Sequence, residues 1–223
     1  YEIIQKNKLK LFDEKDDLYL LKYDMVKSNM SYKACNQARG IILQKETNKV
    51  VCYPFDKFYN YKRDLADKIN WDNAKVQEKL DGSIIKTYWH KGKHMIATNG
   101  KIDAYDAYLK NSLKYATYSS LFNSKITDEI KSDKYKDYTL IFELCSPYNK
   151  VVIQHDSTRI VHLGARNNIT LKEEIVNLKS VEKPKTYKFN NLNDAIQNAS
   201  VLPFNEEGYV IVDDKFKRIK IKS

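Results

Sequence analysis

The segment Glu78-Lys79-Leu80-Asp81-Gly82-Ser83 places a lysine two residues before a carboxylate and three before a glycine. A lysine amine becomes a nucleophile where burial and neighbouring cations favour its neutral form. Asp81 is suited to orient Lys79 or to hold a metal ion, and Gly82 lets the backbone come close to a phosphate. A β-turn with a surface lysine has the same residues, so the segment alone leaves both interpretations open.

Charged residues later in the chain extend this candidate site. Lys220 and Lys222 alternate, so a strand would place both side chains on one face, where they could bind a triphosphate and stabilise departing pyrophosphate. An amphipathic edge strand with its lysines in water is the alternative. Glu143 ends an apolar run and needs a partner or a ligand there. Glu207 precedes Gly-Tyr-Val close to the two lysines.

Two upstream segments are also candidates for nucleotide contact. One is Arg39-Gly40, and the other is the aromatic and lysine-containing segment 54–60, Pro-Phe-Asp-Lys-Phe-Tyr-Asn. Aromatic rings around a lysine are suited to stack a base and bind a phosphate. A corner of the core with one lysine reaching solvent is the alternative.

These residues must be positioned by a fold that is rich in strands. Apolar runs and alternation predict strands over 18–23, 40–43, 50–53, 83–89, 94–98, 138–145, 151–154, 159–163, 209–212 and 216–221. Helical spacing predicts helices over 104–121, 123–134, 171–178 and 192–199, with Thr170 and Asn191 capping the last two. Turn residues at 90–93 and 213–214 predict hairpins. The pattern indicates an α+β fold with largely antiparallel sheets.

Composition supports a globular protein with a phosphate-rich partner. The 223 residues include 39 Lys and Arg against 29 Asp and Glu, a net charge of +10, and 17 tyrosines. Such a balance favours nucleic acid, although a solvated lysine surface would give it too. No run approaches the ~20 apolar residues of a membrane span. Three cysteines without metal-like spacing indicate a reducing, cytoplasmic setting.

Six motifs in order resemble the covalent nucleotidyltransferases, and most of all the bacteriophage RNA ligase 1 type. They are Arg-Gly, Pro-Phe-x-Lys-Phe-Tyr-Asn, Lys-x-Asp-Gly-Ser, Phe-Glu-x-x-x-Pro-x-Asn-Lys-Val-Val, Glu-Gly-Tyr-Val and Lys-Ile-Lys-Ser. The resemblance covers 19–223 and implies an ATP-dependent RNA ligase. It implies a nucleotidyltransferase fold, unrelated to ATP-grasp, with antiparallel sheets flanking a nucleotide pocket and peripheral helices.

The resemblance also implies roles for individual residues. Lys79 would attack the α-phosphate of ATP and form a lysine–AMP intermediate, with Lys220 and Lys222 on the phosphates. Arg39 and Lys57 would contact the nucleotide, with Lys57 toward the outer phosphates. The remaining nucleotide contacts would come from Tyr23, Gly82, Glu143, Lys150 and Glu207.

The metal implied by the resemblance is Mg²⁺ or Mn²⁺, held through Asp81, Glu143 and Glu207, in part through water. Two positions depart from the family pattern. Asn99 stands where the family often has a cation before glycine, so that phosphate contact is lost or moved to Lys101. The acid usual three residues after Asn60 is replaced by Arg63.

The implied partner is RNA with 5′-phosphate and 3′-hydroxyl ends, and the expected state is a monomer without membrane contact. Residues 1–223 are expected to form one adenylyltransferase domain, with the substrate-specificity domain that often follows in this type absent from the chain. The alternatives are a DNA ligase, an mRNA-capping guanylyltransferase, or an inactive basic RNA-binding domain. The aromatic and lysine-containing segment favours the RNA ligase over the first two.

Overall fold

Short strands dominate the computed structural model, which describes residues 2–110 and 112–223. They are β1 (Leu9–Lys15), β2 (Leu18–Tyr23), β3 (Arg39–Gln44), β4 (Val50–Cys52), β5 (Tyr59–Asn60), β6 (Lys75–Glu78), β7 (Ser83–His90), β8 (Lys93–Thr98), β9 (Tyr138–Cys145), β10 (Arg159–Asn167), β11 (Glu173–Glu174), β12 (Thr186–Tyr187), β13 (Gly208–Val212) and β14 (Arg218–Lys222). The α-helices are α1 (Glu2–Lys6), α2 (Lys33–Gln37), α3 (Tyr118–Asn123) and α4 (Leu192–Ala199). Single 3-10 turns occupy Trp71–Asn73, Ala104–Asp106 and Asp133–Tyr135.

The strands form three sheets. The N-terminal sheet has the order β1-β2-β3-β4, the central sheet β11-β10-β9-β7-β8 and the C-terminal sheet β12-β6-β13-β14-β5. The paired strands are antiparallel except β14 with β5. This arrangement confirms the predicted α+β class with largely antiparallel sheets and helices at the periphery.

Hydrophobic burial joins these layers and thereby fixes the position of the cavity. Leu20 and Ile42 of the N-terminal sheet pack with Tyr88 of the central sheet, whose other face buries Phe142 against Phe122 of α3. The C-terminal sheet covers its own core with α4. A cavity of about 570 Å³ opens where residues of all three sheets meet. Among the described residues, no helix is long and apolar enough to cross a membrane.

Several local predictions are confirmed. The strand at Leu18–Tyr23 and the helix at Leu192–Ala199 have the predicted bounds, and Asn191 caps that helix by accepting a hydrogen bond from the Asp194 amide. The hairpin at 90–93 turns through Lys91 and Gly92, both with positive φ, as a two-residue turn between twisted strands requires.

Other local predictions are wrong. The predicted strand 151–154 is an irregular loop, because the amides of Val152 and Ile153 bond to the Asp81 side chain instead of a neighbouring strand. The predicted helices 104–121 and 123–134 are replaced by short turns and α3, which Thr117 caps; position 111 lies outside the described residues. The predicted helix 171–178 instead contains β11, and Thr170 caps no helix there.

Candidate active site

Lys79 is held at the junction of the C-terminal and central sheets. It follows β6 directly, and its amide donates a hydrogen bond of 2.9 Å to the carbonyl of Gly208 at the start of β13. The pairing of β6 with β13 therefore extends to the lysine backbone. Since β7 begins at Ser83, the four residues between the strands cross from one sheet to the other, and all four line the cavity.

Glu207 binds two of the predicted site lysines. Its carboxylate accepts a hydrogen bond from Nζ of Lys79 and lies 3.3 Å from Nζ of Lys222. Glu207 immediately precedes β13, and Lys222 lies opposite Gly208 on β14, so sheet pairing brings the three side chains together. The carboxylate is therefore placed to receive a proton from Lys79.

Lys220 and Arg39 add positive charge to the same cavity. Arg39 begins β3, and its guanidinium carbon lies 5.3 Å from the centroid of the Phe58 ring, while Nζ of Lys220 lies 5.8 Å from that ring. Burial lowers the pKa of Lys220, and the charges of Lys79 and Arg39 lower it further. A group of crowded, partly desolvated cations is suited to bind a polyanion.

Glu143 is a buried carboxylate that faces this group. It lies on β9 opposite Ile84 of β7 and lines the cavity with 8% of its surface exposed. Burial raises its pKa to about 8, although the charges of Lys79 and Arg39 oppose the shift. A buried acid beside a cavity needs a ligand, so Glu143 is a candidate contact for a bound molecule.

Asp81 and Gly82 mainly shape the loop around Lys79. The Asp81 carboxylate accepts hydrogen bonds from the amides of Val152 (2.7 Å) and Ile153 (2.6 Å). A Cβ at Gly82 would lie 2.4 Å from the carbonyl oxygen of Leu144, so glycine is needed for the close approach to β9. Asp81 and Gly82 therefore fix the walls of the cavity as well as lining it.

Comparison with known proteins decides the family. A family model described as RNA ligase matches residues 37–223. The chain belongs to this RNA ligase family. It is 29% identical over 237 residues to a putative bifunctional polynucleotide kinase/RNA ligase of Autographa californica nuclear polyhedrosis virus, covering 98% of this chain and 34% of the relative.

An RNA ligase of Rhodothermus phage RM378 is 32% identical, over 68% of this chain and 41% of its own length. The chain thus spans between a third and a half of the curated relatives described here. An archaeal ATP-dependent RNA ligase structure covers all of this chain at a TM-score of 0.66, with 12% identity and 60% of its own chain covered. A Naegleria gruberi RNA ligase mutant with ATP and Mn has a TM-score of 0.50 at 12% identity, over 68% of this chain and 49% of its own. These structures confirm the nucleotidyltransferase fold.

In this RNA ligase family member, the cavity gathers most of the predicted site residues. They are Arg39, Lys79, Asp81, Gly82, Glu143, Glu207 and Lys220. Their assignment to nucleotide or metal stays a prediction. The remaining predicted residues lie outside the lining of the cavity.

Lys57, Tyr23, Lys150 and Lys222 are the predicted residues outside that lining. Nζ of Lys57 lies 4.2 Å from the centroid of the Tyr23 ring, and Lys57 lines a second cavity. Lys150 is exposed, and Lys222 reaches the site through its ion pair with Glu207. Asn99 lines the cavity, whereas Lys101 is ion-paired to Asp13 and does not replace the missing cation.

The carboxylates of the site fit a hydrated cation better than a fully protein-bound one. Among the described residues, no three His, Cys, Asp or Glu side chains form a metal-binding group. The amides of Val152 and Ile153 occupy one oxygen of Asp81. Within the described part of the chain, the Glu143 carboxylate has no hydrogen-bond or ion-pair partner, and that of Glu207 pairs with lysines alone. Mg²⁺ usually keeps several waters, and one or two carboxylates suffice to hold it beside phosphates.

Arg218, which lines the cavity, and Lys86, which bonds to Gly40 beside it, are charged residues that the sequence did not indicate as part of the site. Lys86 of β7 is fully buried between the N-terminal and central sheets, and its Nζ donates a 2.5 Å hydrogen bond to the carbonyl of Gly40. Four consecutive residues of β7, at positions 85–88, are buried, so alternation gives no sign that this lysine points inward. What the sequence does show is a single lysine inside an otherwise mostly apolar part of the strand, which indicates a buried charge.

Proposed function

We propose that this chain is the adenylyltransferase domain of an ATP-dependent RNA ligase. The observation that carries the proposal is the position of Lys79, which is paired with Glu207 in the same cavity as Arg39, Glu143 and Lys220. The volume of about 570 Å³ is typical of a small-molecule site. Membership of the RNA ligase family supports the assignment, as do the solved RNA ligases with the same fold.

In the first step, Lys79 loses a proton to Glu207 and its amine attacks the α-phosphorus of ATP. The bond from that phosphorus to the bridging oxygen breaks, and pyrophosphate leaves with the electron pair. Arg39 and Lys220 stabilise the charge that develops on the phosphates. A lysine–AMP phosphoramidate remains on Lys79.

A divalent cation, Mg²⁺ or Mn²⁺, would be held by Glu143 and Glu207, with Asp81 acting through water. When bound, it supplies Lewis-acid polarisation of the phosphate and neutralises negative charge. The residues of the chain orient Lys79 whether or not the cation is present, because the β6–β13 pairing holds its backbone.

Two further steps complete ligation. The 5′-phosphate of an RNA takes AMP from Lys79, and the 3′-hydroxyl of a second RNA end then attacks that phosphate and releases AMP. A monomer is sufficient for this chemistry, since the described residues of one chain supply every group named above.

Covalent labelling tests the first step. With α-labelled ATP and Mg²⁺, we expect the protein to take up label and Lys79→Ala to take up none. Persistent labelling of the variant would remove Lys79 as the nucleophile. The absence of label on the unaltered protein would leave a basic RNA-binding domain as the better interpretation.

Substrate choice separates the proposal from the other nucleotidyltransferases. We expect labelling with ATP and not with GTP, because the resemblance is to RNA ligases and not to capping enzymes. We expect AMP transfer to 5′-phosphorylated single-stranded RNA. Sealing of nicked DNA without any reaction on RNA would favour a DNA ligase.

A further inference from the structure

A second cavity, of about 510 Å³, lies next to the proposed nucleotide cavity. Phe58 and Arg218 line both cavities, so they are the boundary between them. Lys57, which is predicted to contact the outer phosphates of ATP, lines this second cavity, but the adenylylation step described above uses none of its exposed lysines. Three acidic and six basic residues line it, and the basic ones are Lys57, Arg166, Lys172, Lys215, Lys217 and Arg218.

The inner wall of this cavity is a buried group of three charges. Glu173 forms an ion pair with Arg166 at 3.1 Å and another with Arg218 at 2.7 Å. All three side chains are at most 10% exposed. The two guanidinium groups also lie 3.9 and 4.0 Å from the ring centroids of Tyr53 and Phe55. These contacts hold the wall in place. Glu173 and Asp56, the latter 3.5 Å from Arg166, formally balance its two arginines, so the excess positive charge of the cavity comes from its lysines.

The rim of the cavity carries lysines without acidic partners. Lys172, Lys215 and Lys217 are exposed, and none of the three forms an ion pair among the described residues. Three uncompensated cations above a charge-balanced wall favour a ligand with several negative charges. A polynucleotide end, with its terminal phosphate and the next phosphodiesters, has this charge pattern.

The geometry of the proposed reaction indicates the side from which the RNA 5′-phosphate must enter. In phosphoryl transfer the attacking and leaving atoms lie roughly in line. Pyrophosphate leaves opposite Lys79 in the first step, and Lys79 itself leaves in the second. The entering 5′-phosphate must therefore approach from the side that pyrophosphate has left. Lys220 and Arg39 flank Phe58, and beyond that ring lies the second cavity.

We propose that the second cavity binds the 5′-phosphorylated end of the RNA strand that receives AMP. Lys172, Lys215 and Lys217 contact its phosphates, and the terminal phosphate passes Phe58 to reach the lysine–AMP. An oxygen of this phosphate bonds to the phosphorus of AMP, while the bond from that phosphorus to Nζ of Lys79 breaks and Nζ takes up a proton. The inference rests on the proposed ligase function.

The test is the triple variant Lys172→Ala, Lys215→Ala, Lys217→Ala. We expect its self-adenylylation rate and its KM for ATP to stay within about two-fold of the unaltered protein. We expect AMP transfer from the purified lysine–AMP form to a 5′-phosphorylated RNA oligonucleotide to fall about ten-fold or more near 0.15 M salt. Loss of three phosphate contacts should make the negative slope of log affinity against log salt shallower by about 2.

A matched control removes the same charge elsewhere. Lys49, Lys93 and Lys131 are exposed, line neither cavity and form no ion pair among the described residues. Their triple alanine variant should transfer AMP at the rate of the unaltered protein. An oligonucleotide of the same sequence with a 5′-hydroxyl should bind the unaltered protein more weakly than the phosphorylated one.

Four results would overturn the inference. Equal transfer rates and salt slopes in the two triple variants would remove the second cavity as the RNA site. A raised KM for ATP in the first variant would assign the cavity to the triphosphate. Equal binding of 5′-phosphate and 5′-hydroxyl RNA would show that the protein binds the strand without recognising its terminal phosphate. Tight binding of an acidic peptide at this cavity, with RNA affinity unchanged, would point to a protein partner.

Failure of the unaltered protein to take up label from ATP would instead reject the ligase function. Self-adenylylation by the Lys172, Lys215 and Lys217 triple variant confirms that this variant is folded.

Discussion

Lys86 is a charged residue that the protein buries completely. Its Nζ has the carbonyl of Gly40 as hydrogen-bond acceptor, and the next residue toward the N-terminus is Arg39 of the site. Burial lowers the pKa of Lys86 from 10.5 to about 8, and the nearby charges of Lys22 and Arg39 act in the same direction. This hydrogen bond therefore couples the protonation state of Lys86 to the position of β3.

This burial predicts a dependence of stability on alkaline pH. Below about pH 8 Lys86 is charged in both the folded and the unfolded chain. Between about 8 and 10.5 the folded chain has lost the proton while the unfolded chain keeps it. The contribution of Lys86 to the free energy of unfolding therefore rises with pH across this window, by up to about 3 kcal/mol. Urea unfolding from pH 7 to 10 measures the rise.

Lys86→Met removes this titration, so we expect a flatter pH dependence than in the unaltered protein. Lys93→Met changes an exposed lysine at the start of β8 and should leave the dependence as it is. If Lys86→Met and the unaltered protein gave parallel curves, Lys86 would not be the group that titrates in this window.

At the scale of single residues, the sequence predicts the cavity group well and its surroundings poorly. Lys79, Glu143, Glu207 and Lys220 come from ordered motifs, and the structure places them around one cavity. The role of Lys86 could not be predicted, because the direction of a side chain in a strand buried on both faces depends on tertiary packing.

Among the structural elements, the β13–β14 hairpin determines where Lys79, the proposed nucleophile, lies. Gly208 begins β13 with φ +126°, and its carbonyl accepts the hydrogen bond from the Lys79 amide. A Cβ at Gly208 would lie 2.1 Å from the carbonyl oxygen of Ile221 on β14. The close approach of the two strands and the position of Lys79 therefore depend on the same glycine.

We expect Gly208→Ala to destabilise the domain by about 2 kcal/mol or more, because the backbone must change both φ and its distance from β14. The shift should separate Lys79 from Glu207 and lower the rate of lysine–AMP formation. Urea unfolding and labelling with α-labelled ATP measure the two effects.

Gly92→Ala is the matched control for backbone strain. Gly92 also has positive φ, +73°, but a Cβ there would meet no atom within 4 Å. We expect a loss of roughly 1 kcal/mol from strain alone and normal labelling. Similar losses of labelling in the two variants would mean that the contact with Ile221 does not matter for the site.

Elements with strong apolar patterns are predictable, and those defined by distant partners are not. The pattern at Leu18–Tyr23 gives the strand directly. The short β6 strand has one buried residue, Val76, and exists because β12 and β13 pair with it. The apolar segment at 151–154 has the composition of a strand, yet the Asp81 carboxylate takes two of its amides.

For the whole molecule, the site depends on the meeting of three sheets. Arg39 comes from the N-terminal sheet, Glu143 from the central sheet and Lys220 from the C-terminal sheet. No local pattern predicts this meeting, because 181 positions of sequence separate Arg39 from Lys220. The order of the motifs indicates it only through resemblance to a family. A ligand that contacts all three sheets should stabilise the entire domain.

An ATP analogue with a methylene group between the α- and β-phosphorus atoms tests this coupling, because it binds without reacting. At a concentration 100 times its Kd, linkage gives about 2.7 kcal/mol of stabilisation. For a domain of this size we expect the melting temperature to rise by about 5–10 °C. Lys79→Ala should retain most of the rise, since no covalent bond is needed.

We expect the phosphates of the analogue to connect the N-terminal and C-terminal sheets, because Arg39 and Lys220 line the cavity on either side of Phe58. Adenosine should therefore raise the melting temperature far less than the analogue does. Lys220→Met should remove most of the difference between the two ligands. If adenosine and the analogue stabilised the protein equally, binding would depend on the base and ribose alone, and Arg39 and Lys220 would not connect their two sheets through the phosphates.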